Sequence, residues 1–153
     1  MPAKPIPEGY STLTTYFVVD DAAKAIDYYK RAFGAEEQVR MHGPDGKVGH
    51  AELQIGDSKL MLSDPIPQSA TKPPKEIGGT SASVFMYVDD VDTVVEKAVD
   101  EGATITMEVE DQFWGDRFGT ITTPSATCGR SRPTSRTSPP RKSRSAARRS
   151  WPP

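Results

Sequence analysis

The chain has 153 residues, 35% of them hydrophobic, which is enough for one ordinary core or for two small modules sharing one. No apolar run approaches the roughly 20 residues that cross a bilayer, and the opening MPAKPIPEGY has no signal-like apolar stretch. The single Cys128 cannot form an internal disulfide, so a reducing cytoplasm is the expected compartment. A net charge of −2 conceals a split: 11 basic against 21 acidic residues before Pro124, and 8 basic against none from there onward.

In chain order, Ser11 to Val19 (STLTTYFVV) is rich in Thr, Tyr, Phe and Val and is predicted as a strand. Asp21 caps a helix over Ala22 to Phe33, where Ala22, Ala25, Ile26, Tyr29 and Phe33 recur at helical spacing, and Gly34 ends it. A second strand over Gln38 to Met41 is turned by GPDG at Gly43 to Gly46. Val48 to Ile55 and Lys59 to Ser63 form a hairpin around Gly56-Asp57. Four prolines and Gly78-Gly79 mark residues 65–79 as a linker. A strand at Ala82 to Val88, a helix at Val91 to Glu101 and a strand at Thr104 to Val109 follow; DQFWGDRFG then leads into Thr120 to Thr122.

The order repeats itself. Tyr16 to Ala35 and Met86 to Ala103 each hold an apolar run, a VDD turn, an amphipathic stretch and a Gly-Ala exit. Asp20 and Asp89 are 69 residues apart, and Gly34 and Gly102 are 68 apart. An internal repeat sets the architecture before any single residue is interpreted. The fold class expected is α+β, with paired βαβββ modules over 10–64 and 80–122 that enclose a pocket between them.

Residues 123–153 break the pattern. They carry almost no large apolar residue and no periodicity, so they cannot bury a core and are expected to be disordered. Their charge suits a nucleic-acid or membrane arm, but a reading-frame slip explains more. When each codon starts one nucleotide earlier, residues 123–137 permit DPFGHVWSIATHVED, a turn followed by an apolar strand. That strand would complete the second module, which the chain as it stands is expected to lack. The tail is therefore not counted as evidence for a nucleic-acid partner, and no membrane partner is expected.

The segments VVDDAAKAIDYYKRAFGAEE, GKVGHAELQIGDSKLMLSD, YVDDVD and VEDQFWGDRFGT resemble the vicinal oxygen chelate superfamily, in its PhnB-like glyoxalase/bleomycin-resistance/dioxygenase branch. The resemblance spans roughly Ile6 to Thr122, and DQFWGDRFG makes it specific. It implies two βαβββ modules curved around a pocket, often completed by a second copy, so a homodimer is expected. It also implies a lyase, isomerase or dioxygenase wherever a metal site is complete. Of the four glyoxalase-type ligand positions, three fall on Thr14, Glu52 and Ser83 and the fourth in the strand expected to be missing, so Glu52 alone is a plausible ligand. One carboxylate does not hold a borderline divalent ion that takes three or four protein ligands. No cofactor is expected, with Zn, Ni, Mn or Fe on Glu52 as the alternative.

His50 shares a strand face with Glu52 and makes a minimal acid/base pair, since imidazole titrates near neutrality. A hydrogen-bonding pocket wall is the commoner role for such a pair. Thr14, Gln54, Ser83, Gln112, Trp114 and Arg117 are the expected pocket-lining residues, although Trp114 as a cavity plug and Asp116-Arg117 as a turn brace fit equally well. The function expected is small-molecule binding of the bleomycin-resistance kind, with a Glu52-based enzyme as the alternative. Resequencing the codons for Thr122 and Thr123 is expected to expose a one-nucleotide slip; an intact frame would sink that explanation of the tail.

Overall fold

The protein was analysed as a computed structural model that describes residues 5–67 and 69–125 and the backbone of 128–133. The first module runs β1 (Thr15–Val18), α1 (Ala22–Phe33), β2 (Glu36–His42), β3 (Val48–Ile55) and β4 (Ser58–Ser63). A short helix α2 (Pro74–Ile77) lies in the connection. The second module runs β5 (Ser83–Val88), α3 (Val91–Asp100), β6 (Thr104–Asp111), β7 (Arg117–Thr122) and β8 (Cys128–Pro133). Each module is βαβββ, and the two sheets have equivalent orders, β1-β4-β3-β2 and β5-β8-β7-β6. The architecture is α+β.

The VDD turns act as the sequence suggests. The Asp21 carboxylate accepts from the Lys24 amide at 3.0 Å and the Asp90 carboxylate from the Thr93 amide at 3.1 Å, so each second aspartate caps its helix. Gly34 ends α1 with φ at 65°, a left-handed conformation that glycine adopts without a Cβ penalty. Along α1, Ala22, Ala25, Ile26, Tyr28, Tyr29 and Ala32 are buried; along α3, Val91, Val95 and Ala98 are. The helices meet across the modules, where the Tyr28 hydroxyl donates to the Ala98 carbonyl at 3.3 Å and the Arg31 guanidinium pairs with Glu101. Burial raises the Tyr28 phenol well above its ordinary range, so it stays a neutral donor.

Most boundaries move by a few residues, and two differences from the sequence reading matter for the site. β1 starts at Thr15, not Ser11, and its parallel ladder with β4 opens with Thr15 opposite Leu60. Residues 5–14 therefore run on as a non-strand segment. The second difference is larger. The last strand of the second module was expected to be missing and 123–153 disordered, yet Cys128–Pro133 pairs parallel with β5 and antiparallel with β7. Ladder bonding uses backbone groups that any sequence carries, so the position can be filled without the apolar alternation that CGRSRP lacks. Residues 126, 127 and 134–153, on which the same expectation falls, lie outside the described residues.

The first module is closed by one carboxylate. Asp64, immediately after β4, is buried and accepts from the Ala22 amide at 2.8 Å with one oxygen and from the Val48 amide at 2.7 Å with the other. Its own amide donates to the Val48 carbonyl at 2.8 Å. One side chain thus ties the end of β4 to the first residue of α1 and the first of β3. Both amides belong to residues at 1% exposure or less, so neither has ready access to water if the carboxylate is removed. Asp64→Ala is expected to cost about 3 kcal/mol and to lower the melting midpoint by roughly 10 °C. A thermal-melt loss under about 0.5 kcal/mol would mean that the two amides find other acceptors.

Candidate functional site

Three places in the structure hold the chemistry that the sequence singled out. The largest is a cavity of about 1050 Å³ between the modules. Edge strands β1 and β5 both line it, through Phe17, Val84 and Met86, while α1 gives Tyr29 and Phe33 and β4 gives Leu60. Polar groups at its margin include Thr14, Lys59 and Lys97. A mostly apolar concavity with a few polar groups is the usual form of a small-molecule site.

Glu52 and His50 are not among the residues lining that cavity. They lie on β3, on the face opposite the buried Ala51 and Leu53, so alternation along the strand puts both on the open side of the sheet. The Glu52 carboxylate accepts from the Tyr10 hydroxyl at Oε2 and lies 3.1 Å from His50 Nε2 at Oε1. Tyr16 stacks on the His50 ring, centroids 5.8 Å apart, with its hydroxyl 3.4 Å from Nδ1. An ionised carboxylate only accepts, so Nε2 carries the hydrogen toward Glu52; in the neutral ring Nδ1 then accepts from Tyr16. The Tyr10 phenol, with His50 second, holds the Glu52 carboxyl below its ordinary value of 4.5, and the same contact raises Tyr10. Lys59 sits over the Tyr10 ring at 5.2 Å and also lines the cavity, linking the two places.

The third place is a smaller cavity of about 470 Å³ where the DQFWGD loop meets the start of α3. Gln112 and Arg117 line it with Asp89, Asp92 and Asp111. Arg117 forms a bidentate pair with Asp92 at 2.6 and 2.7 Å and a further bond to Asp111 at 3.2 Å, which raises the guanidinium further and clamps the loop to α3. The side chain braces the loop through Asp92 and Asp111, where the sequence suggested the neighbouring Asp116. Trp114, half-exposed, does not line either cavity; it packs edge-on against the exposed Phe113 and against Phe118. Phe118 stacks on Phe85, which adjoins Tyr87, so aromatics continue from the loop along the second sheet.

The expected pocket set is therefore dispersed. Thr14 lines the large cavity and Gln112 and Arg117 the small one. Gln54 donates to the Gly56 carbonyl at 2.9 Å, and Ser83 is an exposed residue at the start of β5. The sequence reading missed Tyr10, Tyr16 and Lys59. Tyr16 reaches His50 only through the parallel register that sets it beside Met61, itself opposite Glu52. No local pattern announces that register, and nothing around Tyr10 signals its partner.

A profile of the Glyoxalase/Bleomycin resistance protein/Dioxygenase superfamily matches residues 12–126. The chain belongs to this superfamily. An uncharacterized protein of Mycobacterium bovis is 44% identical over 115 residues, covering 73% of this chain and 76% of that one. Among solved structures, TioX from Micromonospora sp. ML1 is 22% identical with a TM-score of 0.64, over 80% of this chain and 98% of its own. The PhnB protein of Bacillus cereus is 18% identical with a TM-score of 0.64, over 81% and 100%. These two likenesses concern the fold.

Superfamily membership raises the question of a metal, and the donors here do not fit one. Among the described residues no group of three or more His, Cys, Asp or Glu side chains is placed to hold an ion. Both Glu52 oxygens already accept from protein donors, and two other family positions offer the hydroxyls of Thr14 and Ser83, weak ligands for a borderline divalent cation. The Glu52 shift also has a pH consequence. Because the folded-state value is depressed, its stabilisation is complete above about pH 4.5 and is lost as pH falls through the lower folded value. Tyr10→Phe is expected to raise the Glu52 carboxyl toward 4.5 in a carboxyl-carbon NMR titration; an unmoved titration would remove Tyr10 from the site.

Proposed function

We propose that the protein binds a small, largely apolar molecule in the cavity between its modules and does so without a resident metal. The observation that carries this reading is the cavity itself: about 1050 Å³, walled by Phe17, Tyr29, Phe33 and Leu60, with Thr14 and Lys59 at its margin. Its volume suits a drug-sized molecule, and its apolar wall supplies most of the surface such a molecule would bury.

A second reading rests on the His50–Glu52 contact at 3.1 Å. An oriented imidazole beside an ionised carboxylate is equipped to move a proton, which suits a lyase or isomerase with Glu52 and His50 as the acid/base pair. The alternative in which a divalent metal on Glu52 supports this chemistry would require Tyr10 to leave the carboxylate.

A homodimer is part of the proposal. Tyr16, Val39 and Met41 on the first sheet and Phe85, Tyr87 and Met107 on the second are exposed large hydrophobic residues, the kind of surface that a second copy covers. A cytoplasmic location is also proposed, from the lone cysteine; no helix among the described residues is long and apolar enough to cross a membrane.

One experiment addresses ligand, metal and assembly together. Native mass spectrometry of the purified chain with 8-anilinonaphthalene-1-sulfonate is expected to show twice the chain mass, dye bound and no retained metal. Val84→Trp, which fills the cavity, is expected to weaken dye binding at least about tenfold, corresponding to about 1.4 kcal/mol. Unchanged dye binding in that variant would refute the cavity as the site, and stoichiometric Zn, Ni, Mn or Fe would favour the enzyme reading.

A further inference from the structure

We propose that Tyr10 is an internal stand-in for a hydroxylated aromatic ligand, and that residues 5–13 form a strap which such a ligand displaces from Glu52. The inference rests on the ligand-binding reading above and names the chemical class that the Glu52 end of the site would take.

Residues 5–13 lie at the surface, and Tyr10 is the one among them that is not exposed. Leu13, an apolar residue with every reason to find cover, is 89% exposed. The strap turns locally, with the Tyr10 amide donating to the Pro7 carbonyl at 3.2 Å and Gly9 at a φ of 81°. Among the described residues, its side-chain hydrogen bond to the body is the Tyr10 phenol on Glu52, with the ring beneath Lys59. A surface segment with few buried side chains opens locally at a small fraction of the global unfolding free energy.

The two Glu52 oxygens are served by unlike donors. His50 Nε2 comes from the same rigid strand, whereas the Tyr10 hydroxyl comes from the strap. A molecule that binds at Glu52 must replace the second donor, because an ionised carboxylate stripped of a partner there loses a charge-assisted bond. The Lys59 ammonium over the ring adds a preference for an aromatic face. Hydroxyl toward Glu52 and ring toward Lys59 together describe a neutral phenol; a phenolate would be repelled by the carboxylate. The same strap supplies Ser11 and Leu13 to the lining of the large cavity, so displacement would join that cavity to the Glu52–His50 pair.

The test uses 4-methylphenol, the Tyr10 side chain cut free of its backbone, titrated calorimetrically into the full chain. Binding to wild type is reduced by the fraction of molecules with the strap closed. Tyr10→Ala is therefore expected to bind the phenol at least about tenfold more tightly, and Tyr10→Ala/Glu52→Ala to lose that gain. Tyr10→Phe, which keeps the ring under Lys59 and removes only the hydroxyl, covers the case in which the alanine variant fails to fold, and is also expected to bind more tightly than wild type. No gain in either single variant would overturn the strap while leaving dye binding in the cavity intact. A gain that survives Glu52→Ala would place the phenol in the cavity and overturn recognition by Glu52. Failure of the dye experiment with a Glu52-dependent phenol gain would instead reject the cavity reading alone.

Discussion

A carboxylate that satisfies two buried amides at once is the constraint on which the first module depends. Asp64 receives the first amide of α1 and the first amide of β3, both in residues shut away from water. These are groups that neither the helix nor the sheet can pair internally at those positions. Without the carboxylate, α1 would still be amphipathic and β4 would still pair with β1, but the angle between them would be set only by side-chain packing. The second module has no carboxylate after its last strand to match it, since the sequence contains no acidic residue beyond Asp116. The repeat is thus close in pattern and unequal in its bracing.

The cavity is a consequence of how the two modules meet. Their helices touch through Tyr28 and Ala98, while β1 and β5 remain the outermost strands of separate sheets. Apolar side chains from both edges and both helices then face a shared space that neither module could enclose alone. The paired modules hold the helices at a distance where the space between the edges stays open.

The polar chemistry sits beside this space. Tyr10, Glu52, His50 and Tyr16 form a chain of contacts across three segments, with Lys59 as the member shared with the cavity. Part of it was legible: the i, i+2 spacing of His50 and Glu52 on a strand places them on one face. Tyr10 and Tyr16 were not legible, because each reaches its partner across more than thirty residues, Tyr16 through the sheet register and Tyr10 through the path of the non-strand segment before β1. The DQFWGDRFG loop was recognised as a family feature, but its arginine turned out to bind Asp92 at the helix start, a contact that depends on how β7 lies against α3.

By itself the sequence determined the doubled βαβββ plan, the two Asp caps, the Gly34 helix stop and the shared face of His50 and Glu52. All of these follow from local periodicity and backbone preference, which act over a few residues. Tertiary structure alone decided that Asp64 braces α1 and β3, that Tyr10 meets Glu52, and that the predicted pocket residues it brings to cavities divide between two of them. It also decided that Cys128–Pro133 fills the last strand position, despite a composition with no strand signal. In each case the deciding interaction joins distant parts of the chain, and the backbone or carboxylate groups that make it leave no period or motif to be read.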